Sequence, residues 1–219
     1  MANNKLMDVT NYFLENANNG ILNIIENEEF IERDGENIKL LTEENLEKIN
    51  YLYDIVTEDI SSFLVSSFKI LCDEHNDDNN FYIDYQSRKQ SKNEFYCKYA
   101  DVQLKQSGKG NRPINFEVYA CVFYKGDEFL EKKLEYPAIV LTLFLLDSDK
   151  YDAESIRNGF HKIKYANLED YFNEDICAYS VIEYNTDITP DDIAYKIYSF
   201  LYEYLEKRKD VIFNAKIKK

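Results

Sequence analysis

Few residues of this chain have the types and spacing that known chemistry requires. The polar loop Asp73–Asn80 is dense in oxygen ligands, but it lacks the glycine and the glutamate that an EF-hand calcium loop needs at its sixth and twelfth positions. The stretch Gly108–Gly110 has neither the Walker spacing nor a following predicted helix, and no Gly-x-Ser-x-Gly motif occurs. His75 and His161 are not paired with cysteines at the spacing of a zinc site. One pair of carboxylates therefore remains to be considered.

This pair is Asp101 and Glu117, which lie on two successive predicted strands. Asp101 falls where the apolar residues of positions 94–105 change parity, and that change predicts a β-bulge near Ala100 and Asp101. Glu117 lies within Ile114–Val122, where every second residue is apolar. The order of Asp101, Glu117 and a third residue two positions further on resembles the Asp…Glu-x-Lys/Gln arrangement of PD-(D/E)xK nucleases, especially their transposase-associated branch. The resemblance extends from Asp101 to Leu146.

The resemblance implies a metal-dependent nuclease in which Asp101 and Glu117 bind Mg²⁺ and the third residue orients the attacking water. Tyr119 stands where the family has Lys or Gln, and a charged turn replaces the family's helix. A second register within residues 101–105 would supply Gln-x-Lys, ending at Lys105. An active or degenerate nuclease, with Asp101, Glu117 and Lys105 as candidate residues, is the enzymatic alternative. Mg²⁺ is expected only in that case, and otherwise we predict no catalytic residue, no metal and no cofactor.

The net charge of −15 is distributed unevenly along the chain. Residues 1–79 hold 18 Asp and Glu against 5 Lys and Arg, whereas residues 80–111 hold 3 against 6. An acidic surface attracts basic proteins and repels nucleic-acid phosphates. The charge therefore favours a protein partner over direct nucleic-acid binding. Acidity that serves solubility alone is the alternative explanation.

These observations lead to the hypothesis of a non-catalytic cytoplasmic protein-binding module. It would inhibit a basic, nucleic-acid-handling protein, as a toxin-immunity protein or a phage anti-defence protein does. A structural subunit of a larger complex is a further alternative. The candidate binding residues are the acids of a helix predicted to begin at Thr42: Glu43, Glu44, Glu47, Asp54, Glu58 and Asp59.

The strands that would position these residues centre on Pro113–Leu146. Ile114–Val122 alternates apolar and polar residues, and Ala138–Leu146 is almost uniformly apolar, so the latter should be the most buried strand. Gly126 in their short connection predicts that the two strands are antiparallel neighbours. Further strands are predicted at Phe81–Tyr85, at residues 94–105 and at Ile176–Tyr184.

Helices are predicted on both sides of these strands. Residues 8–32 predict two short amphipathic helices, and the segment from Thr42 to about Cys72 predicts one long helix or two in line. Residues 151–164 predict another helix, and Thr189 and Pro190 mark the start of the last. The predicted fold is α+β, with a mainly antiparallel sheet of about five strands and helices on one face. We predict a single domain over residues 1–219, in which residues 1–79 are helical and acidic and residues 80–219 hold the sheet and the C-terminal helices.

The four cysteines lie far apart in the sequence. Cys72, Cys97, Cys121 and Cys177 form no CxxC pair, and Met1–Asn11 is too polar for a signal peptide. They are therefore predicted to be reduced core thiols of a cytoplasmic protein. No window holds enough consecutive apolar residues for a membrane span.

Overall fold

The computed structural model describes ten stretches of the chain. They are residues 5–16, 30–33, 36–39, 43–75, 81–85, 96–104, 114–129, 132–146, 176–207 and 209–213. Within them a five-stranded antiparallel sheet packs against helices, so the predicted α+β class is confirmed. The helix predicted at residues 151–164 lies outside these stretches. So does most of the second helix predicted within residues 8–32, but its last residues, 30–32, form a strand and not a helix.

Five strands form the sheet, and every neighbouring pair is antiparallel. In their order across the sheet they are β3 (Phe81–Asp84), β4 (Cys97–Leu104), β5 (Ile114–Phe123), β8 (Ala138–Leu145) and β9 (Ile176–Glu183). Two small hairpins accompany it, β1 (Phe30–Arg33) with β2 (Glu36–Lys39) and β6 (Glu128–Phe129) with β7 (Lys132–Lys133). The second hairpin belongs to the connection between β5 and β8, in which Gly126 has a φ of 90°.

The helices are α1 (Asp8–Asn16), α2 (Glu43–His75), α3 (Pro190–Leu201) and α4 (Lys209–Phe213), with a π-helical turn (Tyr202–Glu206) after α3. The predicted long segment after Thr42 is one helix of 33 residues. Its inner side buries residues three to four positions apart, including Val56, Ile60, Phe63 and Leu71. This apolar stripe holds α2 against α3 and against strands β3 and β4.

The helix-facing side of the sheet is the core. Strand β5 buries alternate residues from Ile114 to Val122, and β8 buries every residue except Phe144. The sequence of Pro113–Leu146 predicted an alternating strand beside a buried one. Both predictions, and the antiparallel pairing of the two strands, are confirmed. The apolar residues of β8 are buried on both faces of the strand, which explains why its sequence lacks alternation.

The β-bulge predicted near Ala100 and Asp101 is wrong. Strand β4 pairs with β5 from Cys97 to Leu104 without a register shift, and its buried side chains alternate throughout. Cys97 and Tyr99 lie on the face away from the helices, where they contact the half-buried Cys121 and Tyr119 of β5. The apolar pattern therefore changes parity because both faces of β4 carry apolar residues. A register shift occurs instead between β8 and β9, at Leu143 and Phe144.

The prediction of four reduced thiols is also wrong for two of the cysteines. Cys97 and Cys121 are directly opposite each other on β4 and β5 and form a disulfide. The sequence separation of 24 residues concealed this contact, because a cross-strand pair depends on a register that spacing alone does not give. Cys72 has a free, half-buried thiol.

The last long helix begins as its sequence predicts. The Thr189 side chain accepts a hydrogen bond from the backbone of Asp192, and the Asp192 carboxylate accepts one from the backbone of Thr189. This reciprocal capping box, with Pro190 in the first turn, fixes the start of α3. None of the helices in the described stretches is long and apolar enough to cross a membrane.

Candidate functional site

The outer side of α2 carries an acidic stripe around a tyrosine. Glu47, Tyr51, Asp54 and Glu58 follow one another at intervals of four, three and four residues, so they share one face of the helix. All four side chains are exposed. We call these four residues the α2 stripe. Since the opposite side of α2 is buried in the core, the stripe is held on a rigid element and points to solvent.

Tyr51 is the feature of the stripe that solubility does not explain. It is 70% exposed, and its neighbour Leu52 is 39% exposed. Tyr12, on the adjacent helix α1, is 71% exposed. Tyrosine combines a large apolar ring with a polar hydroxyl and is enriched at protein interfaces. An exposed tyrosine between carboxylates offers a partner both contact area and charge.

Asp59 has a different role from the other acids of α2. Its Oδ2 atom accepts a 2.8 Å hydrogen bond from the backbone N–H of Met7, just before α1. Burial, with the nearby Asp59 charge as a smaller cause, raises the pKa of Tyr184 to about 12. Asp59 thus joins α1 to α2, and its role in binding stays a prediction. The sequence itself indicates that Asp59 lies apart from the α2 stripe, because it follows Asp54 by five positions and therefore lies on another side of the helix.

Glu43 and Glu44 form the first turn of α2. Their side chains lie outside the part of the chain that the structure describes. Acids at this position are favourable beside the positive end of the helix dipole. Their role in binding therefore stays a prediction.

The two carboxylates of the nuclease alternative are close in the fold. Asp101 on β4 and Glu117 on β5 are direct partners in the strand register, on the face away from the helices. Both are half-buried. Asp84 on β3 is the register partner of Asp101 on its other side, so three carboxylates follow one another across three strands. Sequence reasoning missed Asp84 because strand register is a long-range property.

Tyr119 occupies the third position of the Asp…Glu-x-Lys/Gln arrangement, two residues after Glu117. The Tyr119 hydroxyl donates a 2.9 Å hydrogen bond to Oε2 of Glu117. The Tyr119 ring stacks on Tyr99 at a centroid distance of 5.0 Å and meets Phe144 edge to face at the same distance. This ring is fixed by its neighbours and holds the carboxylate, but it cannot supply the cationic amine of a Lys.

Metal-ligating side chains do not converge in the described stretches. No group of three or more His, Cys, Asp and Glu side chains there has the geometry to hold a metal ion. Lys105, the remaining candidate of the nuclease alternative, lies outside these stretches. The row Asp84, Asp101 and Glu117 therefore offers carboxylates that are adjacent in register but not convergent.

Comparison with known proteins gives no family for this chain. No protein-family model, no curated protein and no solved structure matches it. The function must therefore be inferred from the two sites themselves.

Proposed function

We propose that this chain is a non-catalytic binding module that captures a protein partner with a basic surface through the α2 stripe. The observation that carries this proposal is the exposed Tyr51 between three exposed carboxylates on one helix face. Such a surface combines an aromatic anchor with charges that attract a cationic partner. The net charge of −15 adds long-range attraction.

The basic partner is most simply a protein that handles nucleic acid. The surfaces of such proteins that bind phosphates are rich in Lys and Arg, and an acidic surface can occupy them in place of the phosphates. The module would then act as an inhibitor in the cytoplasm, of the toxin-immunity or phage anti-defence type. Neither a membrane nor direct binding to nucleic acid is part of this proposal.

The experiment is affinity capture with the full chain from lysate of the native host, at low and at high ionic strength. The test variant carries Glu47→Lys, Asp54→Lys and Glu58→Lys. Its matched control carries Glu128→Lys, Glu135→Lys and Asp210→Lys, which makes the same charge change at exposed positions elsewhere. We expect a basic partner that high salt releases, that the control retains and that the test variant loses. Equal capture by the two variants would refute the proposal.

Tyr51→Ala separates the aromatic contribution from the charges. A central interface tyrosine is worth about 1–2 kcal/mol or more, so we expect affinity for the captured partner to fall about tenfold. Tyr136→Ala is the control, because Tyr136 is exposed but lies neither in the α2 stripe nor on the helices that carry it. A partner that binds without regard to salt or to Tyr51 would instead favour a structural subunit of a larger complex.

A second candidate function is supported by the register of Asp101 and Glu117. The resemblance to PD-(D/E)xK nucleases requires two carboxylates on adjacent strands, and these residues are direct cross-strand partners. The pair would bind Mg²⁺ through carboxylate oxygens, with Asp84 beside it. Because Tyr119 stands where the family has Lys or Gln, the simplest form of this candidate is a degenerate nuclease.

The test is cleavage of labelled DNA and RNA by the full chain with Mg²⁺ and with chelator. Asp101→Asn and Glu117→Gln are the variants, and Asp54→Asn is the matched control on α2. Cleavage that needs Mg²⁺ and is lost in both sheet variants, but not in the control, would replace the binding module with an enzyme. No cleavage above the chelator background supports the non-catalytic function.

A further inference from the structure

A groove lies between the edge strand β9 and the helix α3, away from the α2 stripe. Its volume is about 440 Å³. Leu141 and Phe200 are apolar parts of its lining, and polar groups come from Ser180, Ser199, Lys196 and Glu203. Its lining is therefore an apolar patch with hydroxyl and charged groups beside it, which is typical of a binding site.

The π-helical turn that follows α3 shapes one end of this groove. The backbone N–H of Lys207 donates to the carbonyl of Tyr202, five residues back. Glu203 and Tyr204 from this turn both line the groove, and Glu203 also pairs with Lys207. Short π-helical segments inside or after α-helices occur frequently at functional sites.

The other side of the groove is strand β9, which is the last strand in the order of the described sheet. Within the described stretches, β9 pairs with β8 on one side only. Its eight residues contain no proline and no lysine, and Glu183 is its one charged residue. Proteins usually protect edge strands with such residues, with short length or with a cover, because an unprotected edge pairs with other chains. Strand β9 lacks the sequence features of a protected edge.

The direction of its free backbone groups follows from the register. The N–H of Tyr184 bonds to the carbonyl of Pro137, next to β8. In an antiparallel pair the hydrogen-bonded residues alternate, so Ile182 and Ser180 also point their backbone groups at β8. Tyr179, Val181 and Glu183 therefore direct their N–H and C=O groups to the edge away from β8, alongside the groove.

We infer that the β9 edge and this groove bind an extended peptide segment of another protein, which adds as a further strand. Alternate side chains of an added strand would face the same side as Ser180 and Ile182 and enter the groove. The apolar lining suits β-branched or other apolar side chains. Residues 176–207, which carry the edge and most of the groove, hold six Asp and Glu against two Lys. This local negative charge favours a net-positive peptide and disfavours a second copy of this chain.

The experiment uses the full chain and a phage-displayed library of random octapeptides. Enriched peptides are synthesised, and their binding is measured by fluorescence anisotropy. We expect net-positive sequences with apolar residues at alternate positions. On binding, hydrogen exchange should slow at the backbone amides of Tyr179, Val181 and Glu183. Protection elsewhere without protection of these amides would overturn the inference, since a small ligand or another surface would then be the site.

Val181→Pro is the decisive variant. It removes an N–H that points away from β8 and leaves the hydrogen bonds to β8 in place, so the sheet should persist. We expect peptide binding to weaken at least about tenfold, whereas Val181→Thr, which keeps the N–H, should bind as the unmodified chain does. Ser199→Phe, which fills the groove, tests the same site if the proline variant fails to fold.

Three results would overturn the inference. The first is that no peptide is enriched, and the second is that neither Val181→Pro nor Ser199→Phe weakens binding. The third is a dimer in sedimentation that Val181→Pro dissociates, because the occupant of the edge would then be a second copy. Loss of partner capture by the α2 stripe variants would not affect any of these measurements, so this site and the proposed function are tested separately.

Discussion

The Tyr119 hydroxyl donates a hydrogen bond to Glu117, two residues earlier on the same face of β5. A cross-strand pair of carboxylates such as Asp101 and Glu117 is unfavourable unless other groups interact with it. The phenol provides one such interaction, since it satisfies Oε2 of Glu117 without adding a charge. The position that would hold a Lys or Gln in the PD-(D/E)xK arrangement therefore has a structural use here.

Tyr119→Phe tests that use. The change removes the hydroxyl and keeps the ring that packs on Tyr99 and Phe144, so we expect the free energy of unfolding to fall by about 1 kcal/mol. Chemical denaturation measures the difference. Tyr136→Phe, at an exposed position, is the control and should have no effect. An unchanged stability in the test variant would mean that the hydrogen bond contributes nothing.

Asp59→Ala should destabilise the protein, whereas Asp54→Ala should not. The first change leaves the Met7 N–H without its carboxylate partner, and a hydrogen bond to a charged group is worth about 1.5–3 kcal/mol. Asp54 is exposed and lies in the α2 stripe. Urea denaturation of both variants gives the comparison. Equal stabilities would mean that the hydrogen bond from Met7 to Asp59 contributes nothing to folding.

Thr189→Ala should lower the free energy of unfolding by about 1 kcal/mol at neutral pH, because it removes the cap of α3. The hydrogen bonds from Thr189 hold the pKa of Asp192 below its ordinary value. The stability that these hydrogen bonds provide to the ionised Asp192 is present above the carboxyl pKa of the unfolded chain. It is lost as pH falls through the lower pKa of the folded state. The difference between variant and unmodified chain should therefore shrink in acid. Thr186→Ala, at an exposed position outside the cap, is the control.

The local elements of the fold were accessible from the sequence. The alternation of Ile114–Val122, the apolar run after Pro137 and the Thr189–Pro190 start each depend on neighbouring residues, and each was predicted correctly. The α2 stripe also follows from helical spacing alone. Such patterns can be recognised locally because the fixed periods of strands and helices determine which neighbouring residues share a face.

What the sequence concealed depends on pairing across distance. The parity of Cys97 and Tyr99 predicts a core face from sequence alone, because nothing local shows that the second face of the sheet also carries aromatic residues. The Cys97–Cys121 disulfide and the neighbours Asp84 and Asp101 both need the register between strands. One correct register would have revealed all of these contacts together.

Deprotonation of Tyr184 should make the protein less stable in alkali. Burial raises its pKa from 10.0 to about 12, and its hydroxyl donates to Oδ1 of Asn11 at 2.8 Å. The folded state thus favours the neutral phenol. Its contribution is complete below the unfolded pKa and is lost as pH rises through the folded value. Tyr184→Phe should be less stable at neutral pH but should lose less stability between about pH 10 and 12. Tyr195→Phe, an exposed control, should follow the unmodified chain.

The Cys97–Cys121 disulfide should stabilise the oxidised protein by about 3 kcal/mol, as expected for a closed loop of this length. We expect reductant to lower the free energy of unfolding by that amount and to have no effect on the double variant Cys97→Ser, Cys121→Ser. Cys72→Ser, which removes the free thiol, should remain sensitive to reductant.

Alkylation of free thiols in intact cells then shows whether Cys97 and Cys121 are oxidised or reduced there, since a reducing cytoplasm keeps such cysteine pairs as thiols. Trapped dithiol in cells would mean that the eight-pair ladder of β4 and β5 holds the strands together without the cross-link. A purified chain that keeps both thiols free and is indifferent to reductant would contradict the bond itself.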